Sequence, residues 1–217
     1  MRSATRVVAS TFGVVVGLAG LEHGIGEVLQ GSVAPSGIMF ESWPDSEFLR
    51  ILGGEPAMAI IPNLLVAGIL TVLVSLLFIA WAVLFTPRRL GGLGLILLSV
   101  VLLLVGGGVA PPIMGLIIGA AATRIGKPLS WGARRSSDHP PFLARLWVPA
   151  LIAGVVGYLA VLPGIPIVDH FLGLENPMAV VVLALFSFAA LLAAVLAALA
   201  WDSYHAALAK GQGAGIG

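Results

Sequence analysis

The chain reads as an all-α polytopic membrane protein with about six transmembrane segments. Three observations predict this: too little charge to cover a water-exposed surface, long continuous apolar runs, and basic residues that gather on one side of those runs. Of 217 residues, 59% are hydrophobic and only 10% charged, with a mean hydropathy of +1.08. A soluble domain carries roughly 25% charged residues, so lipid must solvate much of this surface. The apolar runs do not alternate, which argues against a membrane barrel. No strand is expected, and residues 1–217 are read as a single membrane domain.

The first segment is expected at about 5–27. Arg2 and Arg6 precede its apolar run as they would in a secretory signal, but "LAGLEHG" fits a small-x-small cleavage site badly. It is therefore read as a retained helix, with a cleaved signal as the alternative. The second segment is expected at about 57–85, with Asn63 two turns inside it and Pro62 freeing the Met58 carbonyl at a kink.

The next apolar run, from Leu90 to about residue 124, is longer than the roughly 20 residues that one crossing needs. It is interrupted by "GGGVAPP", Gly106 to Pro112. Glycines followed by prolines stop one helix and start another. Two segments result, about 90–106 and 111–124, with five segments in all if the stretch spans once or is re-entrant. The last two are expected at about 146–166 and 177–201.

Charge favours the six-segment count. With a hairpin at "GGGVAPP", Arg2, Arg6, Arg88, Arg89, Arg124, Lys127, Arg134, Arg135, Arg145 and Lys210 share one side, leaving only Arg50 of the eleven basic residues on the other. The positive-inside rule then places both termini in the cytoplasm and the chain in the plasma (cytoplasmic) membrane. Eight of the ten acids fall at or beyond the outer boundary: Glu22, Glu27, Glu41, Asp45, Glu47, Glu55, Asp169 and Glu175.

The outer loop, 31–55, contains "DSEFLRILGG", expected to form a short interfacial helix, with Phe40 and Trp43 as headgroup anchors. The basic loop, 125–145, is read as serving topology and contact with lipid headgroups, with specific binding of an anionic lipid or a partner as the alternative. Three segment starts look alike, "EPAMAII", "PPIMGLI" and "NPMAVVV". They fit either a repeated hairpin or the suitability of proline for first helical turns.

The candidate site begins in "LEHGIGEVLQG", Leu21 to Gly31. Gly13, Gly17, Gly20 and Gly24 form a stripe that lets a second helix approach closely. His23 and Glu27, four residues apart, share a face bordering that stripe, whereas Glu22 points the other way. A histidine and a carboxylate so spaced could relay protons, bind a cation or ligate a metal. Glu55, Asp169 and His170, from "VDHF", lie at the same membrane level and could complete the set. The candidate ligand or ion-binding residues are therefore Glu22, His23, Glu27, Glu55, Asn63, Asp169 and His170. Any metal would use His23, Glu27 and His170. The competing reading is ordinary polarity at the headgroup layer.

No cysteine is present, which excludes disulfide exchange, thiolate zinc sites and iron–sulfur clusters. No cofactor is evident, and the one pair of histidines level enough for a bis-histidine haem is His23 and His170. No phosphate loop, nucleophile elbow or zinc-protease helix occurs. With no catalytic constellation, an enzyme ranks below two other readings. One is a protein that binds or transports a small solute or cation through the acidic/histidine cluster. The other is a non-catalytic accessory, assembly or lipid-organising subunit. Expected partners are membrane lipids and a homo- or hetero-oligomer through glycine faces, with no nucleic acid.

Overall fold

The computed structural model describes residues 3–127, 140–173 and 176–213. Its helices are α1 (Ala4–Gln30), α2 (Leu64–Leu84), α3 (Gly91–Val105), α4 (Ala110–Ala122), α5 (Phe142–Arg145), α6 (Trp147–Leu159), α7 (Ile165–Leu172) and α8 (Pro177–Gly213). Four stretches are long and apolar enough to cross a membrane: α1, α2, the α6–α7 run and α8. This is a mostly helical membrane protein. α3 and α4 are shorter apolar helices.

α1 is the centre of the bundle. Its glycine stripe faces α2: a methyl group at Gly13 would strike Ala82, at Gly17 Ile79, at Gly20 Ser75, and at Gly24 the backbone of Val72 and Gly68. The pairs run in opposite directions along the two helices, so α1 and α2 are antiparallel. Phe12, on another side of α1, seats its ring against Gly154 of α6. The main core gathers Val8, Phe12 and Val16 with Phe78, Leu95, Leu102, Met114, Ile118 and Leu191. Small residues on one surface and large ones on the next let six helices share one apolar interior.

The "GGGVAPP" break is a tight reversal. Gly106 and Gly108 take φ of 125° and 77°, which favour glycine. Pro111 and Pro112 sit in the first turn of α4, where a missing N–H costs nothing. α4 then returns along α3, with Gly119 against Ile96 and Gly115 against Ser99. The carbonyls at the end of α3 are satisfied from elsewhere: Leu104 accepts from Ile60 N–H at 3.0 Å and Val105 from the Thr71 hydroxyl at 2.9 Å. Such pairing lets irregular backbone persist beside apolar helices.

Several expectations change in the 31–63 loop. Two short strands occur, β1 (Met39–Glu41) and β2 (Pro56–Met58), paired antiparallel. β2 occupies what was expected to be the start of the second helix, which begins only at Leu64. "PAM" is therefore extended, and the resemblance among three helix starts loses one member. "DSEFLRILGG" forms one 3-10 turn, Arg50–Leu52, ended by Gly53 at φ 67°. Phe40 and Trp43 pack inward: Phe40 with Ala57, Ala59, Leu64 and Ala67, and Trp43 over Gly26.

The fifth segment extends further than expected and bends at Leu162–Pro163, where Leu162 leaves helical geometry (φ −134°, ψ 115°). α8 continues twelve residues beyond the expected end at Trp201, so His205 lies within the helix, stacked on Trp201 with centroids 4.4 Å apart. Most of the basic loop, with Trp131 and His139, lies outside the described residues. The two ends of the chain meet where Asp202 of α8 accepts from the N–H groups of Ala4 and Thr5 at 2.8 and 3.0 Å.

Candidate functional site

At the end of the bundle covered by the 31–63 loop, α1 presents Glu22, His23 and Glu27 to surrounding backbone. His23 is almost fully buried because the α3–α4 turn lies against its ring: a methyl group at Gly108 would fall 2.5 Å from Nε2. Its Nδ1 is 3.0 Å from the Ala19 carbonyl one helical turn earlier and 2.9 Å from Glu22 Oε2. Nδ1 thus faces two acceptors, the Ala19 carbonyl and the Glu22 carboxylate. Nε2 faces Glu55 Oε2 at 3.5 Å.

Glu55 reaches this position because of unusual backbone. It has φ of 57°, uncommon for a side-chain-bearing residue, after Gly53 and Gly54 at similar positive angles. The turn folds the carboxylate back over α1. Burial pushes its pKa up to about 7, and neighbouring Glu22 adds to the rise while His23 opposes it.

Glu27 is fully buried one turn along α1 from His23. Thr71 lies 3.4 Å from its Oε2 but donates a closer hydrogen bond to the Val105 carbonyl. Oε1 has no hydrogen-bond partner. Gly106 covers it so closely that a Cβ there would collide with the carboxylate.

The structure brings together Glu22, His23 and Glu55, whose ligand-capable atoms lie within 4.8 Å of one another, with Glu27 one helical turn along. Glu22 was expected to point away from His23. Adjacency in the chain and a bent-back carboxylate place it beside the ring instead. Three other expected members lie elsewhere. Asn63 is not inside α2 but caps its start, accepting from Val66 N–H at 3.1 Å and donating to Ser32 at 2.9 Å. Asp169 is buried with Oδ2 3.9 Å from Arg50. His170 is exposed and in edge contact with Phe48 and Phe171. His170 therefore does not join His23 and Glu27 in a metal set, because the bend before α7 turns it outward. Among the described residues the one metal-capable group is Glu22, His23 and Glu55.

No protein-family model matches this chain, and neither does any curated protein or solved structure. The site's chemistry therefore rests on its own geometry.

Thr71 is a participant that the sequence reading did not single out. The available signal was a hydroxyl at a position where the flanking "LVAGIL" and "VLV" are wholly apolar. Ala19 contributes only its carbonyl, which no side-chain pattern reveals.

Proposed function

We propose that this protein binds a small cation at Glu22, His23 and Glu55, and that the site belongs to a route for that cation at the outer face of the plasma membrane. The supporting observation is the meeting of His23 Nε2 with Glu55 Oε2 at 3.5 Å. With Nδ1–H donated to the Ala19 carbonyl, Nε2 carries a lone pair. A lone pair and a carboxylate facing each other in a buried space repel unless something electropositive lies between them. A proton meets that need, and so does a metal ion.

A ring nitrogen whose partner N–H is fixed by a carbonyl is the usual arrangement of a metal-bound histidine. One nitrogen and two carboxylates suit a first-row divalent ion such as Zn²⁺ or Mn²⁺. Glu27, one turn away with an unpartnered oxygen, gives a proton or ion a second station along α1.

The membrane placement in this reading is six segments with both termini cytoplasmic, as the basic residues favour. The contact between Asp202 and the start of α1 agrees with an even number of crossings. The accessory-subunit reading, which would use the glycine faces and the alanine-rich last span, has less support at α1, where α2 already fills the glycine face.

The test is titration of metal-free protein in nanodiscs with Zn²⁺ and Mn²⁺, read by calorimetry and native mass spectrometry. Binding of one ion per chain is expected, weakened by roughly 10- to 100-fold or more in His23→Gln and Glu55→Gln. Equal uptake by wild type and the double variant would overturn the reading.

A further inference from the structure

The bend at Leu162–Pro163 opens a chamber of about 450 Å³ between α1, the 31–63 loop and the α6–α7 run. That is ample for a small organic molecule. Its walls include Leu18, Leu162 and Pro163, the three aromatic rings of Trp43, Phe48 and Tyr158, and one charged side chain, Glu22. Glu22 Oε2 lies 2.9 Å from His23 Nδ1, while Oε1 is shielded from solvent and accepts no hydrogen bond. A carboxylate with one oxygen left this way beside an apolar wall is costly unless a positive group comes to meet it. Aromatic faces attract cations, and organic ammonium ions above all, because such ions shed water easily.

We propose that this chamber binds a lipophilic organic cation, its ammonium centre held between Glu22 and the rings of Trp43, Phe48 and Tyr158, and its apolar part lying along Leu18, Leu162 and Pro163. The lining decides against the headgroup of a choline phospholipid. No lysine or arginine lines the chamber to meet a phosphate. It decides against a bare metal ion too, which would find one carboxylate in an apolar wall. The occupant is a single-charge amphiphile drawn from the membrane. The inference shares Glu22 with the cation cluster of the proposed function but needs no metal at His23.

The experiment is calorimetric titration of the full-length protein in dodecyl maltoside with decyltrimethylammonium, and with decanol as the uncharged control. Saturable binding of one cation per chain is expected, with no comparable signal from decanol. Glu22→Gln, close to isosteric, should weaken binding at least about thirtyfold by removing the buried counter-charge. Phe48→Leu, in the loop where its half-exposed ring meets His170 edge-on, should weaken it by about threefold or more and keeps the test valid if the first variant does not fold. Glu55→Gln should leave ammonium binding within about twofold while weakening Zn²⁺ binding by roughly 10-fold or more, so failure of either site is read separately. Decanol binding as tightly as the ammonium, or unchanged affinity in Glu22→Gln and Phe48→Leu, overturns the proposal.

Discussion

The carbonyl of Ala19 holds the imidazole of His23 at 3.0 Å through Nδ1, and that contact aims Nε2 at Glu55, a residue 32 positions further along the chain. One helix turn thereby sets the tautomer of a ring whose other partner comes from a distant loop. Replacing Ala19 leaves this contact intact because only its backbone takes part, whereas His23→Phe keeps the ring and removes both nitrogens. The phenylalanine variant is expected to fold with α1 packed as before and to lose cation binding, checked by circular dichroism alongside Zn²⁺ titration.

Glu55 makes stability depend on pH in a defined direction. Its carboxyl pKa is about 7 when folded, against an ordinary 4.5. The folded protein therefore holds a proton there that the unfolded chain has released. The stabilising contribution is full below about pH 4.5 and is lost as pH rises through 7. Thermal unfolding of the metal-free protein from pH 4 to 8 should show wild type losing stability relative to Glu55→Gln across that window, by at least about 2 °C. Parallel curves for the two proteins would show that Glu55 is not buried as described.

Two glycines with positive φ separate strain from collision. Gly31, at φ 83°, has nothing within 4 Å of where a side chain would start. Gly31→Ala should cost only the backbone term, about 1–3 kcal/mol. Gly106, at φ 125°, carries the same kind of strain and adds a clash with the Glu27 carboxylate. Gly106→Ala should therefore be clearly the worse of the two in melting temperature, and Glu27→Ala in the same chain should recover part of the difference.

The α1–α2 seam has little room to yield. Gly17→Val would drive a branched side chain into Ile79 and the Ser75 carbonyl, an overpacking that typically costs about 1–3 kcal/mol. Combining it with Ile79→Ala should restore part of the loss. Independent, additive effects of the two changes in a double-mutant cycle would contradict direct contact.

Asp202 closes the bundle at the opposite end, where its carboxylate accepts from Ala4 and Thr5 N–H and pairs with the Ser3 hydroxyl. Asp202→Ala should cost about 1 kcal/mol, as loss of a helix N-cap does. Asp202→Asn, which keeps an accepting oxygen, should cost less. Thermal melts of the two variants check the order.

Much of the helical framework was legible because apolar length and glycine or proline punctuation are local signals. The reversal at Gly106–Pro112, the glycine stripe and the span containing Phe78 follow from residues close in the chain. The second helix was misplaced at its start because "PAMAII" is as apolar as a helix, yet Ala59 and Ile60 pair with the end of α3 instead. That pairing depends on carbonyls left free by a break 45 residues later. Of the site, His23 and Glu55 could be suggested from charge alone. Glu22 was misjudged because helical angle describes where a Cβ points, not where a flexible carboxylate ends. Asp169 and His170 were grouped with them by membrane level, a single coordinate that ignores the sideways turn imposed at Pro163.

The bond between Asp202 and the start of α1 spans nearly the whole chain. During synthesis α1 emerges well before α8, and its Ala4 and Thr5 amides must wait, solvated, until Asp202 is delivered. Assembly of this bundle therefore includes docking α8 onto a helix made long before it. A chain halted just before residue 202 would hold every apolar segment and still lack the carboxylate that latches α8 to the start of α1.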